Sequence, residues 1–213
     1  MPADAVILKV RSKVSVWARC GVRNAAEPAL IEPRPKMLAG TQPPDGVVIS
    51  QVLDDGARVS IEMGQARFDE PASLTLEGEA LQVHRVSMGN PHCVVFVEQP
   101  DEALARRLGP LLERHALFPE RTNVQLVKVT DRANLDVRIW ERGVGYTLSS
   151  GTSSCAAAAV AHHLGQVDAK VAVHMPGGTI HIELDAACNV KMQGPVCRIG
   201  SFALDPECLG DLA

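Results

Sequence analysis

A segment of small residues places the strongest constraint on the fold of this chain. Residues 146–165 read YTLSSGTSSCAAAAVAHHLG, in which a Ser/Gly/Thr cluster runs into an alanine-rich helix that ends at Gly165. Alanine recurs on every side of residues 156–161, so the helix is predicted to be narrow and buried all round. The cluster before it leaves backbone N–H groups at the helix start, which suit an anion. Ordinary capping by serine or threonine is the structural alternative.

Short β-rich segments lie on both sides of this helix in the sequence. From about residue 47, apolar and polar residues alternate in segments such as 80–89, and CVVFVE (93–98) is a continuous apolar run; both are strand patterns. A second helix is predicted over 101–118, where leucines recur at helical spacing and acids precede bases. Long strand runs with one buried helix predict an α+β fold, in which a curved antiparallel sheet wraps the central helix.

Composition argues against several classes of function. The 213 residues carry a net charge of −4 and no basic stripe, which argues against nucleic-acid binding. No apolar run approaches the roughly 20 residues of a membrane-spanning helix. The N-terminal segment lacks the layout of a signal peptide. A soluble, cytoplasmic protein with no membrane partner is therefore predicted.

Cysteine and histidine spacing gives no sign of a metal site. None of the six cysteines forms a C-x-x-C pair, and the adjacent His162 and His163 point to different faces of a helix. We therefore predict no metal. Reduced, mostly buried thiols are predicted at Cys93, Cys188, Cys197 and Cys208.

Four polar motifs stand at predicted element ends. GNPH (89–92) leaves a strand and projects Asn90 and His92, and RTNVQLV (121–127) brings Asn123 into a strand. In WERGVG (140–145), a Glu-Arg pair could grip a zwitterionic amino acid. The fourth motif is the helix start itself. Each has a structural alternative: a polar turn, an exposed ion pair of little energetic value, or a helix cap.

In this order and spacing, the motifs resemble those of the diaminopimelate epimerase family. GNPH is followed by LGPLLERHALFPERTNV (108–124), ERGVGYTLSSGTSSCAA (141–157), MPGG (175–178) and KMQGPV (191–196). The resemblance covers about residues 30–205. It implies a diaminopimelate-epimerase-like α+β fold, normally with two pseudo-symmetric domains. It also implies an epimerase without a cofactor, in which two cysteines remove and return an α-proton.

The resemblance assigns expected roles to particular residues. Substrate-binding positions are matched by Asn90, Asn123, Glu141, Arg142, Gly151 and Thr152. His92 matches an auxiliary histidine beside the catalytic pair. The catalytic cysteine of the second domain falls on Ser150, and Cys155 matches a second, non-catalytic cysteine. Two further departures are Tyr146, where the family has glutamate, and Ser153, where it has glycine.

The beginning of the chain departs most from the family pattern. Aligning ARC (18–20) with the end of the family's C-G-N-G-x-R-C motif places Val14 at the first-domain catalytic cysteine. We expect residues 1–46 to be a degenerate or truncated remnant of the first domain and 47–197 to form the second domain. Residues 198–213 are expected to return to the first domain. Truncation, a frameshift or divergence into a pseudoenzyme would each produce this pattern.

The resemblance predicts interconversion of LL- and meso-diaminopimelate, in lysine and peptidoglycan biosynthesis. Because Ser150 and Val14 are not thiols, we predict weak activity or none, since a serine hydroxyl is a poor base unless another group deprotonates it. Two alternatives stay open. One is an isomerase acting on another substrate, with Ser150, His92 or Tyr146 in new roles. The other is a protein that binds an amino acid without turning it over. A half-missing domain would also favour pairing into a homodimer.

Overall fold

The computed structural model describes residues 50–197, which form twelve strands and two α-helices. A 3₁₀ turn at Asp54–Gly56 joins the first two strands. The elements are β1 (Ser50–Leu53), β2 (Arg58–Gln65), β3 (Arg67–Phe68), β4 (Ala72–Leu76), β5 (Glu79–Ser87), β6 (Pro91–Phe96), α1 (Glu102–Glu113), β7 (Asn123–Asp131), β8 (Asn134–Glu141), β9 (Gly145–Thr147), α2 (Gly151–His163), β10 (Lys170–Met175), β11 (Gly178–Leu184) and β12 (Asn189–Pro195). The α+β prediction is confirmed. The boundaries proposed for 1–46 and 198–213 lie outside the described residues.

The strands form one sheet rather than separate sheets. Its order is β1-β2-β12-β11-β10-β8-β7-β6-β5-β3, with β4 paired to β5 and β9 to β8. Within residues 50–197, nine of the eleven strand pairings are antiparallel, as the sequence predicts. The pairs β6–β7 and β8–β10 are parallel. Parallel neighbours need a long crossover, and here α1 connects the first pair while α2 lies between the strands of the second.

Alternation along the central strands divides the interior into two clusters. On β7, Val127 packs in the cluster around α2, whereas Val124 and Leu126 pack in the cluster beneath α1. The same alternation holds on β6, where Val94 faces the first cluster and Cys93 and Val95 the second. The central part of the sheet therefore lies between the two helices, because successive side chains point to opposite faces.

Helix α2 is enclosed, as its alanine content predicts. Every residue from Ser153 to Ala161 is buried, and α2 contacts strands on both halves of the sheet. A helix with small side chains on all faces lets surrounding backbone approach closely, so the sheet can curve around it.

Helix α1 is shorter than the segment predicted for it. It spans Glu102–Glu113, and the carboxylate of Asp101 caps it by accepting from the N–H of Leu104 at 2.7 Å. Residues 114–118 continue as turns, in which the N–H of Phe118 donates to the carbonyl of His115 at 2.8 Å. The periodicity of leucine was visible in the sequence, but the change to turns near the end was not.

Candidate active site

Polar residues from three strands meet where α2 begins. His92, Asn123 and Glu141 occupy the sheet face that carries the α2 cluster, because they alternate with residues that pack toward α1. His92 is directly paired with Asn123, and the register that pairs Val124 with Trp140 brings Glu141 to the same edge. The sequence motifs that were far apart in the chain therefore share one edge of the sheet.

The start of α2 is not capped by its own serine. Ser150 is the N-cap residue in extended conformation, and its hydroxyl makes no capping hydrogen bond. Its carbonyl instead accepts from the N–H of Ser154 at 3.1 Å and from the Ser154 hydroxyl at 2.8 Å. Within residues 50–197, no group accepts a hydrogen bond from the N–H of Gly151, Thr152 or Ser153. These donors can therefore bind an anion, which the capping alternative would have prevented.

Glycines allow two segments to approach this helix start closely. A Cβ at Gly151 would lie 3.0 Å from the sulfur of Met192, so the side chain of β12 rests directly on the first turn of α2. A Cβ at Gly177 would lie 3.0 Å from the carbonyl oxygen of Leu148. The same oxygen accepts a hydrogen bond from the N–H of Gly177 at 2.8 Å. The MPGG turn thus supports the backbone that leads into the helix.

A buried chain of hydrogen bonds connects the GNPH turn to α2. Nε2 of His92 lies 2.9 Å from Oδ1 of Asn90, and its Nδ1 lies 3.0 Å from Nε2 of Gln125. The same Gln125 nitrogen lies 3.0 Å from the hydroxyl of Ser153. Burial lowers the pKa of His92 to about 3, so the ring is neutral at physiological pH. Both ring nitrogens of His92 are occupied.

Gln125 was not predicted from the sequence to be a site residue. Gln125 follows Asn123 by two positions on β7, so the alternation that placed Asn123 also placed Gln125 on the α2 face. The next two positions on this face of β7 are the apolar residues Val127 and Val129, so a glutamine before them was the available signal. Ser153 was noted only as a departure from the family motif, whereas its hydroxyl is a partner of Gln125.

Asn123 joins two segments of the site. Its Nδ2 donates to the carbonyl of Pro91 at 3.0 Å, and its Oδ1 accepts from the N–H of Arg142 at 3.0 Å. The guanidinium of Arg142 is exposed and donates to the carbonyl of Glu120 at 3.0 Å. Within the described residues, Arg142 and Glu141 form no ion pair with each other. The exposed ion pair that was the structural alternative for this motif is therefore not formed, and the grip on an amino acid stays a prediction.

Helix α1 fixes the turn that follows Glu141. Glu113 is buried, and its two carboxylate oxygens accept from Nε1 of Trp140 at 2.7 Å and from the N–H of Gly143 at 3.0 Å. Gly109 lies one turn earlier, against the Trp140 side chain. The LGPLLE motif, which the sequence related only to a family pattern, thus anchors the loop of residues 141–145.

Replacing Glu113 with glutamine should destabilise this loop. A glutamine oxygen can accept from Trp140 or Gly143 but not both, so one buried donor loses its partner, which costs about 2 kcal/mol. We expect a lower free energy of unfolding in urea and faster amide exchange at Gly143. Glu102→Gln is the matched control, because its ion pair with Arg106 is exposed and contributes about 0.5 kcal/mol or less. Equal effects of the two substitutions would contradict this role of Glu113.

Three other residues are not available for chemistry at the helix start. Tyr146 packs into the cluster beneath α1, with the Arg106 guanidinium 5.1 Å from the centre of its ring. Burial raises the pKa of Cys93 and that of Cys155 to about 12, so both thiols stay protonated at neutral pH.

The cysteines of residues 50–197 match the expected burial only in part. Cys93 and Cys155 are buried, and both are free thiols. Cys188 is half-buried and Cys197 is exposed, so the prediction of a buried thiol at Cys197 was wrong. Cys197 follows the end of β12, where no further strand covers it within the described residues. Cys208 lies outside those residues.

Residues 50–197 contain neither a membrane-spanning helix nor a cluster of metal ligands. No helix there is long and apolar enough to cross a membrane. No three side chains of histidine, cysteine, aspartate or glutamate come together in an arrangement that could hold a metal ion.

Solved structures with a similar fold include amino-acid racemases and epimerases. A probable proline racemase from Agrobacterium radiobacter matches with a TM-score of 0.60 and 18% identity, over 76% of this chain and 58% of that protein. A hydroxyproline epimerase from Agrobacterium vitis matches with a TM-score of 0.55 and 18% identity, over 70% of this chain and 54% of that one. At these identities the likeness concerns the fold.

The chain is also similar in sequence to proteins named diaminopimelate epimerase. Diaminopimelate epimerase 2 of a Nostoc species is 40% identical over 175 residues, which are 76% of this chain and 61% of that protein. The diaminopimelate epimerase of Moorella thermoacetica is 43% identical over 145 residues, or 67% of this chain and 51% of that protein. The diaminopimelate epimerase of Ectopseudomonas mendocina is 37% identical over 195 residues, which are 85% of this chain and 69% of that protein.

The chain matches only part of the length of these relatives. It spans 51% to 61% of the length of the first two. A sequence model described as diaminopimelate epimerase matches residues 85–199. That range includes the GNPH turn, the loop of residues 141–145 and the whole of α2. Because this match covers more than half of the chain and the relatives are 37% to 43% identical, the chain belongs to the diaminopimelate epimerase family.

Proposed function

We propose that this chain binds the α-carboxylate of a diaminopimelate-like amino acid at the start of α2. The observation that carries the proposal is the uncapped first turn, in which three consecutive N–H groups lack an acceptor among the described residues. The positive end of the helix dipole and these donors favour a carboxylate. Related proteins named diaminopimelate epimerase supply the substrate class.

Asn90 supports this assignment because part of its amide is free. Its Oδ1 bonds to His92, whereas its Nδ2 has no hydrogen-bond partner within residues 50–197. This nitrogen is not among the buried unpaired atoms, so it reaches solvent. Gly151 and Thr152 would contribute backbone donors, and Asn123, Glu141 and Arg142 would shape the adjoining wall through the 141–145 loop. His92 would act by holding Asn90.

The proposed reaction is removal and return of the α-proton, as in LL- and meso-diaminopimelate interconversion, but at a low rate in this chain. Ser150 stands where the resemblance implies a thiol, and its hydroxyl has no base as a hydrogen-bond partner within the described residues. Cys93 and Cys155 are protonated and buried. His92 uses both ring nitrogens. None of these groups is a competent base at neutral pH.

Binding without turnover is therefore the second candidate. The observation that favours it is that the anion-binding donors are intact while no thiolate is available beside them. A hydroxyl without a partner base does not remove an α-proton at a useful rate. Substrate affinity and proton exchange are then separate properties that can be measured separately.

The test is deuterium incorporation at the α-carbon of LL- and meso-diaminopimelate in heavy water, together with calorimetric titration. The unaltered chain should bind and show exchange near the uncatalysed rate. Ser150→Cys should raise the exchange rate at least about tenfold, because a thiolate at a helix N-terminus is a working base. Ser149→Cys, one residue before the helix cap, is the matched control and should leave the rate unchanged.

Each outcome separates the two candidates. Fast exchange by the unaltered chain would contradict the loss of activity and would favour the epimerase assignment. Binding with no exchange in either form would favour the second candidate. Absence of diaminopimelate binding would contradict the proposed substrate class.

A further inference from the structure

Gln125 lies in the middle of the buried hydrogen-bond chain. It is fully buried on β7, and its Nε2 lies 3.0 Å from Nδ1 of His92 and 3.0 Å from the hydroxyl oxygen of Ser153. It thus bridges the first turn of α2 and the histidine that holds Asn90. Gln125, itself on β7, therefore contacts both β6 and α2.

The orientation of Asn90 shows the direction of each hydrogen bond in the chain. Its Oδ1 can only accept, so Nε2 of His92 must carry the proton and donate. Because burial keeps the ring neutral, Nδ1 is then an acceptor. The nitrogen of Gln125 meets that requirement, since it donates one proton to His92 and the other to Ser153.

The reverse arrangement is less favourable. Rotation of the Gln125 amide would set its oxygen against His92 and Ser153, and would require a proton on Nδ1 and a rotated Asn90 amide. In the observed arrangement, Oε1 of Gln125 is the one buried side-chain polar atom without a partner among residues 50–197. Rotation would replace this oxygen by an NH₂ group with two unpaired donors, and buried N–H groups without partners are rarer than unpaired carbonyl oxygens.

We infer that Gln125 is a positioning residue that fixes the Nε2–H tautomer of His92 and thereby leaves the NH₂ group of Asn90 free for a carboxylate. The last part rests on the proposed function. With the opposite tautomer, Asn90 would turn its carbonyl oxygen toward the ligand and repel a carboxylate. Gln125 therefore acts on ligand choice through His92, without contacting the ligand.

The tautomer is measured by nitrogen NMR on the full chain labelled with ¹⁵N-histidine, with His92 assigned by comparison with His92→Gln. In the unaltered chain, Nδ1 should give an unprotonated resonance and Nε2 a protonated one. Gln125→Met keeps the volume but removes the donor, so both nitrogens should shift toward averaged values. Val127→Ala is the matched control, because it alters the same face of β7 without touching His92. A proton on Nδ1 in the unaltered chain, or an unchanged pattern in Gln125→Met, would overturn the inference.

Ligand affinity tests the second part. Gln125→Met should weaken diaminopimelate binding about tenfold, the equivalent of one lost hydrogen bond to a charged group, whereas Val127→Ala should stay within about twofold. Unchanged affinity alongside an altered tautomer would refute the link to Asn90. If the unaltered chain does not bind diaminopimelate, the proposed function fails, and the NMR pattern alone then decides the role of Gln125. If Gln125→Met does not fold, the spectrum of the unaltered chain still decides it.

Discussion

Gly109→Ala should destabilise the protein by about 3 kcal/mol or more, although alanine is the better helix former. A Cβ at this position would lie 2.4 Å from Cγ and 2.6 Å from Cβ of Trp140. These atoms are at the root of the indole side chain, so rotation about its side-chain bonds cannot clear the clash. The indole is also held by Glu113, whose carboxylate accepts from its Nε1 at 2.7 Å. Helix α1 would therefore have to move away from β8.

The free energy of unfolding, measured in urea by circular dichroism, checks this result. Gly194→Ala is the matched control, because it is the same chemical change at a site where the nearest atom to the new Cβ is Ile180 Cγ1 at 3.9 Å. The control should change the stability by about 0.5 kcal/mol or less. If Gly109→Ala is as stable as the unaltered chain, α1 lies farther from β8 than the structure places it.

The features predicted best from the sequence are those set by local pattern. Alanine on all sides of residues 156–161 predicted an enclosed helix, and every residue from Ser153 to Ala161 is buried. Alternation over 80–89 and the apolar run over 93–98 predicted strands, and β5 (Glu79–Ser87) and β6 (Pro91–Phe96) form there. These predictions depend only on short-range periodicity, which a single sequence contains.

The features that the sequence missed are set by contacts between distant residues. Gln125 is 33 residues from His92 and 28 from Ser153, and Glu113 is 27 residues from Trp140. Local pattern gives no sign of such partners, because the pairing appears only once the strands are in register. The two parallel strand pairs were missed for the same reason. They depend on which strands the helices bring together.

Burial of His92 should make the protein sensitive to acid. The pKa of this histidine is lowered from 6.5 to about 3, first by burial and also by the nearby positive charge of Arg142. Between these two values the unfolded chain binds a proton that the folded chain does not. Stability therefore rises with pH in this range, is fully present above pH 6.5, and is lost as the pH falls through the unfolded pKa toward 3. The slope for one such group is about 1.4 kcal/mol per pH unit, or roughly 4 kcal/mol over three units.

The contribution of His92 is isolated by the difference between two pH series of urea denaturation. Other groups also titrate: the pKa of His84 is lowered by burial and by His163, and it contributes with the same sign. His92→Gln removes only the buried imidazole, so this variant should be less stable than the unaltered chain at pH 7 but should lose less stability between pH 6.5 and about 4. His181→Gln, at an exposed position on β11, should follow the unaltered chain throughout. Parallel pH curves for the unaltered chain and His92→Gln would mean that the imidazole takes up its proton over the same pH range in the folded chain as in the unfolded chain. A protonated ring would donate from both nitrogens, which is incompatible with the hydrogen bond that Gln125 donates to Nδ1. The acid dependence of stability and the tautomer of His92 are therefore two independent measurements of the same buried hydrogen-bond chain.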